Sequence, residues 1–197
     1  MNITAANATQ DLADTGLTPR QLLQTWENFD MPPGAAEKIK HVQRNADKWF
    51  LFYGNPGTGK NHVATCLLKD AVSAGKQCYC VKVLPLCLRI KSNYLQALEI
   101  IKEFSEYDFL ILNEIEKYSI IRDSDRERNV LFEIIDNRYE AFKQTVFITN
   151  QTFEYIDSLY RIDGTGKNPI TDRLAEMGQR VNFNWGSYRD KKAGGNQ

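Results

Sequence analysis

Eight consecutive residues, Gly54-Asn55-Pro56-Gly57-Thr58-Gly59-Lys60-Asn61, constrain this chain more tightly than any other part of it. They follow an apolar run, Trp49-Phe50-Leu51-Phe52-Tyr53, and lead into a helical segment that Gly75 stops. A continuous apolar run ending at glycine is the pattern of a strand buried on both faces. Strand, glycine loop and helix in that order make a phosphate site. Glycines let the main chain curl and turn its N–H groups inward. The helix that follows offers its N-terminus to an anion, and Lys60 extends an ammonium toward the outer phosphates. Asparagine stands at the last place, where serine or threonine usually meets Mg²⁺. A plain glycine-rich turn is the competing reading, and the strand and lysine in register weigh against it. The sequence also holds a control. Gly164-Thr165-Gly166-Lys167-Asn168 repeats the letters of 57–61, but Arg161 replaces the first glycine, no strand precedes it and Pro169 follows. That copy reads as a mobile loop.

The period of the rest of the chain agrees with a sheet covered by helices. Further strands are expected at residues 77–83, 108–113, 145–149 and 180–183. Helices are expected at 21–29, 35–46, 84–107, 124–142, 153–159 and 170–177. Strands alternating with helices predict an α/β fold with a mainly parallel sheet. Residues 1–17 are small and polar and are expected to be flexible, 18–47 to form a short helical lead-in, 48–185 the nucleotide-binding domain and 186–197 a flexible tail. Thr18-Pro19 is a helix start, a capping hydroxyl before proline in the first turn.

At 197 residues the chain fits one domain. Lys+Arg and Asp+Glu are equal at 25 each, so no global basic excess announces nucleic acid, and any such binding must come from a local patch. No apolar run reaches the length of a membrane span, and the N-terminus lacks the pattern of a signal peptide, so a cytoplasmic protein is expected. Cys66, Cys78, Cys80 and Cys87 do not match the usual zinc spacing and read as reduced, buried thiols.

Two strand ends supply the remaining chemistry. Residues 109–114 read Phe-Leu-Ile-Leu-Asn-Glu, and acidic groups closing an apolar strand beside a phosphate loop commonly serve Mg²⁺ and the attacking water. Glu114 can accept the proton of that water. Asn113 stands where aspartate is usual; it can orient a metal-bound water but adds no negative charge. Asn61 offers a carbonyl oxygen to Mg²⁺ in place of a hydroxyl. With two metal-supporting positions altered, Mg²⁺ is expected to be held weakly and ATP turnover to be slow. Thr149-Asn150 closes a later strand on the ligand side of a parallel sheet, where Asn150 can meet the γ-phosphate or the water.

Together these elements resemble the first three sites of the AAA+ superfamily. Within it, residues 56–62, Pro-Gly-Thr-Gly-Lys-Asn-His, and residues 183–189, Phe-Asn-Trp-Gly-Ser-Tyr-Arg, are similar to the DnaC-type loaders of replicative DNA helicases. The similarity covers about residues 25–190, and the asparagine after the lysine belongs to that family's pattern, whereas Asn113 departs from it. The resemblance implies a P-loop NTPase with an AAA+ core, a five-stranded sheet and no C-terminal helical lid. It implies ATP or ADP with Mg²⁺ as ligands, nucleotide-dependent self-association, single-stranded DNA contacts and a replicative helicase as partner. Residues 54–61 and His62 then hold the nucleotide, Asn61 and Asn113 serve the metal, and Lys60, Glu114 and Asn150 act on the reaction. Arg173 takes the place of an arginine finger that reaches a neighbouring subunit's nucleotide, with Arg180 as runner-up. Arg89, Lys91 and Tyr94, in the place of the initiator-type helical insertion, and Ser124 and Arg126, after the metal-binding strand, become candidate DNA contacts. A solvated helix face explains those five equally well. The N-terminal region is much shorter than in such loaders.

Three other readings compete: an IstB-like ATPase that helps a transposase, a small phosphotransferase, and a module from a phage or mobile element that binds nucleotide without hydrolysing it. Duplex binding, phosphoryl transfer to a nucleoside, and tight ATP binding without turnover would mark them respectively.

Overall fold

Five short strands carry the fold, and the first is apolar along nearly its whole length because helices cover it on both sides. The computed structural model describes residues 10–92, 94–121, 125–161, 166 and 168–188; the side chains of residues 94, 120, 121 and 125–127 fall outside the description. The strands are β1 (Trp49–Tyr53), β2 (Cys78–Lys82), β3 (Phe109–Asn113), β4 (Gln144–Ile148) and β5 (Gly178–Asn182). They pair in the order β2-β3-β4-β1-β5, every pair parallel. The helices are α1 (Pro19–Leu22), α2 (Ala36–Arg44), α3 (Lys60–Ser73), α4 (Val83–Ser92), α5 (Ala97–Glu106), α6 (Asp125–Glu140), α7 (Phe153–Leu159) and α8 (Pro169–Met177).

Alternate residues of the strands feed two cores. Phe50, Phe52, Ile111, Val146 and Ile148 face Ile39 and Val42 of α2 and Val63, Leu67 and Leu68 of α3. Leu51, Leu110, Leu112 and Phe147 face the helices of the other side, meeting Ile90, Ile100, Leu131, Ile135 and Leu174. Cys78 and Cys80 lie two apart on β2 and therefore share its buried face. All four cysteines are buried. Burial pushes Cys66 and Cys78 up to about 12 and Cys80 to about 11, so these thiols stay protonated and inert at neutral pH.

The far end of the sheet is closed by a fully buried Arg138 on α6. Its Nε donates to Thr145 Oγ1 at 2.9 Å, Nη1 to the carbonyls of Phe104 at 3.0 Å and Tyr107 at 2.6 Å, and Nη2 to the carbonyl of Gln144. Burial pushes its guanidinium down to about 9, and the oxygens around it keep the cation in place at neutral pH. One side chain thus satisfies orphan carbonyls from α5, the loop before β3 and the start of β4.

Three expectations are corrected. Residues 10–17, expected to be flexible, are built into the fold: residues 12–15 form a 3₁₀ turn, Thr15 is fully buried, and Gln10 Oε1 accepts from the Cys78 amide at 2.7 Å. The helix expected over 21–29 stops at Leu22; Thr18 and Gln21 form a capping box, but Leu23 points to solvent at 75% exposure, so no apolar stripe extends the helix. The mostly helical stretch expected over 84–107 is present as α4 and α5, with a 3₁₀ turn at Tyr94–Gln96 between them. Residues 186–188, expected in a flexible tail, pack on the phosphate loop, as set out below. Among the described residues no helix is long and apolar enough to cross a membrane.

Replacing Arg138 with alanine is expected to destabilise the protein by about 3–5 kcal/mol in urea unfolding, because the carbonyls it caps stay buried without a donor.

Candidate functional site

β1 ends at Tyr53, and the chain turns sharply through residues 54–59 before α3 begins at Lys60. The turn is tight enough that its last residue has to be glycine. Gly59 adopts φ +91°, and a Cβ there would lie 2.7 Å from the ring of Phe29. Lys60 is buried, and its ammonium donates to the Gly54 carbonyl at 2.8 Å and the Asn55 carbonyl at 2.6 Å. Thr58 Oγ1 donates to the Asn55 carbonyl at 2.8 Å. The loop is thereby held in a closed curve around its own lysine.

Around it lies a cleft of about 700 Å³. Pro56, Gly57, Thr58, Gly59, Lys60, Asn61 and His62 form its floor, and Asn113, Glu114, Thr149 and Asn150 form one wall. The sheet makes this convergence unavoidable: β1, β3 and β4 run parallel and adjacent, so their C-terminal ends open on one side. Asn113 is buried and Asn150 exposed. Glu114 has φ +57°, a left-handed conformation rare for a residue with a side chain, and strain of this kind concentrates at working sites. Its carboxylate is paired with Lys82 Nζ at 3.1 Å. Lys82 ends β2 and lies opposite Asn113 in the ladder; its role is invisible in sequence because only the strand pairing brings it to Glu114. Glu116, behind this wall, is buried, with Oε1 3.5 Å from the Asn150 amide.

Asn61, Asn113 and Glu114 are oxygen donors suited to Mg²⁺, which keeps several waters and binds phosphate oxygens beside few protein ligands. Among the described residues no group of three or more His, Cys, Asp or Glu could hold a metal by itself. The donor set fits a metal carried largely by the nucleotide.

Two flanking segments complete the cleft. Residues 18–30 form a strap along α3. Gln21 Nε2 donates to Thr65 Oγ1 at 3.4 Å, Lys69 Nζ donates to the carbonyls of Leu22 and Gln24 at 2.7 and 2.6 Å, His62 Nε2 bonds the Thr25 carbonyl at 2.8 Å, and Trp26 Nε1 donates to Asp70 at 2.8 Å. From the other end of the domain, residues 183–188 cross the glycine loop. The Tyr188 amide donates to the Gly57 carbonyl at 2.9 Å and Trp185 Nε1 to the Thr58 carbonyl at 2.8 Å. Phe29 joins the two segments, edge-on to His62 at 5.0 Å and to Tyr188 at 6.1 Å between ring centroids. The Tyr188 hydroxyl donates to the Asp30 carbonyl, and burial, helped by the Asp30 carboxylate, pushes it up to about 12.

The remaining candidates lie elsewhere. Arg173 does not line the cleft; its Nη2 pairs with Asp136 at 3.0 Å and it covers the ring of Tyr139. Arg180 stacks over Phe153. Arg89 is tied to Glu103 at 2.8 Å on the α4–α5 pair, while Lys91 is exposed. The side chains of Tyr94 and Arg126, and the whole of Ser124, fall outside the described residues. Of the duplicate motif, residues 164, 165 and 167 are outside the description, and Asn168 caps α8 by accepting from the amides of Ile170 and Thr171. Its asparagine is thus a helix cap, far from the role of Asn61.

Comparison with known proteins agrees with this geometry. The chain is 33% identical over 144 residues to YdaV, an uncharacterized protein of Escherichia coli K12, with 71% of this chain and 54% of the relative covered. It is 28% identical over 151 residues to the replicative helicase loader DnaC of the same strain, with 74% of this chain and 58% of DnaC covered. The chain therefore spans little more than half the length of these relatives. Among solved structures, DnaI superposes with a TM-score of 0.71 at 14% identity over 85% of this chain and 95% of the other, a likeness of fold.

Alanine at Gly59 is expected to lower stability by about 2–4 kcal/mol and to abolish nucleotide uptake, since it combines left-handed strain with the clash against Phe29. Alanine at Gly166, whose φ is +67° with nothing within 4 Å of the added carbon, is expected to cost only about 1–2 kcal/mol and to leave uptake intact. Thermal unfolding and calorimetric titration distinguish the two.

A model of the IstB-like ATP binding protein family matches residues 37–194, so the chain belongs to that family and carries its DnaC-like AAA+ fold.

Proposed function

We propose that this protein is a nucleotide-switched DNA-replication factor that binds ATP with Mg²⁺, self-associates around it, engages single-stranded DNA and acts on a replicative helicase. The observation that carries the reading is the meeting of the glycine loop, Asn113-Glu114 and Asn150 in one cleft at the strand ends. The helicase and DNA roles rest on the relationship to DnaC.

The chemistry of the reading follows from the side chains. Lys60 and the loop amides hold the phosphates. Asn61 and Asn113 would help to hold Mg²⁺, and the metal would draw charge off the γ-phosphate. Glu114 takes a proton from the attacking water, but only when Lys82 releases it, because a carboxylate engaged with an ammonium is a poor base. Asn150 orients the water or the γ-phosphate. Arg173 would serve a neighbouring subunit, and its release from Asp136 would accompany assembly. Slow hydrolysis suits a switch, in which the lifetime of bound ATP sets the lifetime of the assembly. The family description favours one second reading, an IstB-like helper of a transposase; preference for duplex over single-stranded DNA would select it.

Mass determination in solution with ADP and with a non-hydrolysable ATP analogue, each with and without a DNA oligonucleotide, tests the reading. Assembly only with the ATP analogue, strengthened by single strands, is the expected result; a monomer under all four conditions rejects it. Steady-state assays give a second check. Glu114→Gln is expected to reduce turnover by about 10²-fold or more, Lys82→Ala to raise it, and Asn113→Asp to raise both turnover and Mg²⁺ affinity.

A further inference from the structure

The strap brings a cation into the cleft that no motif identifies. Arg20, the second residue of α1, lines the same cavity as Lys60, Lys82 and Glu114. It is exposed, and its guanidinium makes no hydrogen bond or ion pair among the described residues. The other cations of the cleft are engaged: Lys60 with the loop carbonyls and Lys82 with Glu114.

The strap's anchors fix which end of the cleft Arg20 serves. Gln21, its neighbour, reaches Thr65 on α3 and Cys80 on β2, two residues before Lys82. Eight and nine residues on, Phe29 and Asp30 lie against Gly59 and Tyr188. The strap therefore runs the length of the cleft, with Arg20 at the end where β2 and β3 deliver Lys82, Asn113 and Glu114. That is the end at which the terminal phosphate and the attacking water meet Glu114. A guanidinium is always charged and matches phosphate oxygens with paired N–H donors. With asparagine in place of aspartate at 113, the cleft attracts Mg²⁺ less, and a protein cation can take over part of the neutralisation.

We propose that Arg20 is a binding residue for the terminal phosphate, acting within the same chain, and that it gives the site its preference for ATP over ADP. The inference rests on the nucleotide reading above. It also makes α1 a sensor element: a contact to the γ-phosphate pulls on a strap fixed to α3, and its loss on hydrolysis releases that pull.

The test is calorimetric titration of ATP and ADP, with Mg²⁺ and with EDTA, into wild type, Arg20→Ala, Arg20→Lys and Lys60→Ala. Arg20→Ala is expected to weaken ATP by about tenfold or more and ADP by less than about threefold, in both buffers, with Arg20→Lys between. Arg20 is exposed, so the variants should unfold at the wild-type temperature. Equal loss for ATP and ADP, no loss for either, or a loss confined to Mg²⁺ overturns the proposal while leaving the nucleotide reading standing. Failure of wild type to take up either nucleotide, with Lys60→Ala indistinguishable from it, removes the reading and the proposal together.

Discussion

Turning peptide N–H groups toward an anion forces the carbonyls of the same loop to turn away, and those carbonyls need donors of their own. Here that requirement organises the whole site. Lys60 takes the carbonyls of Gly54 and Asn55, the Tyr188 amide takes that of Gly57, and the Trp185 indole takes that of Thr58. The donors come from α3 and from the segment after β5, so the curve of the loop depends on both together. Lys60 has two calls on its ammonium, the loop carbonyls and an incoming phosphate, and the balance between them makes the loop responsive to its ligand.

The metal side of the site departs from the common pattern through its charges. A site with aspartate at 113 would hold two acids at the end of β3. Here Asn113 leaves Glu114 as the charged member of that pair, and it is already matched by Lys82. One formal negative charge is therefore missing from the end of β3. Glu116, buried beside the Asn150 amide, belongs to the support of the β4 end and does not line the cleft.

How much of this was legible in sequence depended on the range of the interaction. The glycine loop, the strand after it and the Asn-Glu and Thr-Asn strand ends are local signals, read from period and spacing, and the structure brings all of them into one cleft. Lys82 gave no such signal, because it matters only through the pairing of β2 with β3. Residues 10–17 and 23–29 were misread for a related cause. They are polar and nearly helix-free, and what orders them is a set of side-chain bonds to α3 and β2 that no periodicity reports. The segment 183–188 was singled out by its letters, but its hold on the glycine loop could be known only once β5 was placed beside β1.

Phe29 touches both His62, in the first turn of α3, and Tyr188, so the stretches entering and leaving the domain meet over the phosphate loop. Phe29 and Tyr188 therefore hold the two segments against each other beside Gly59. Such an arrangement works as a coupling: a shift of either segment bears on the glycine loop, and a shift of the loop is felt by both.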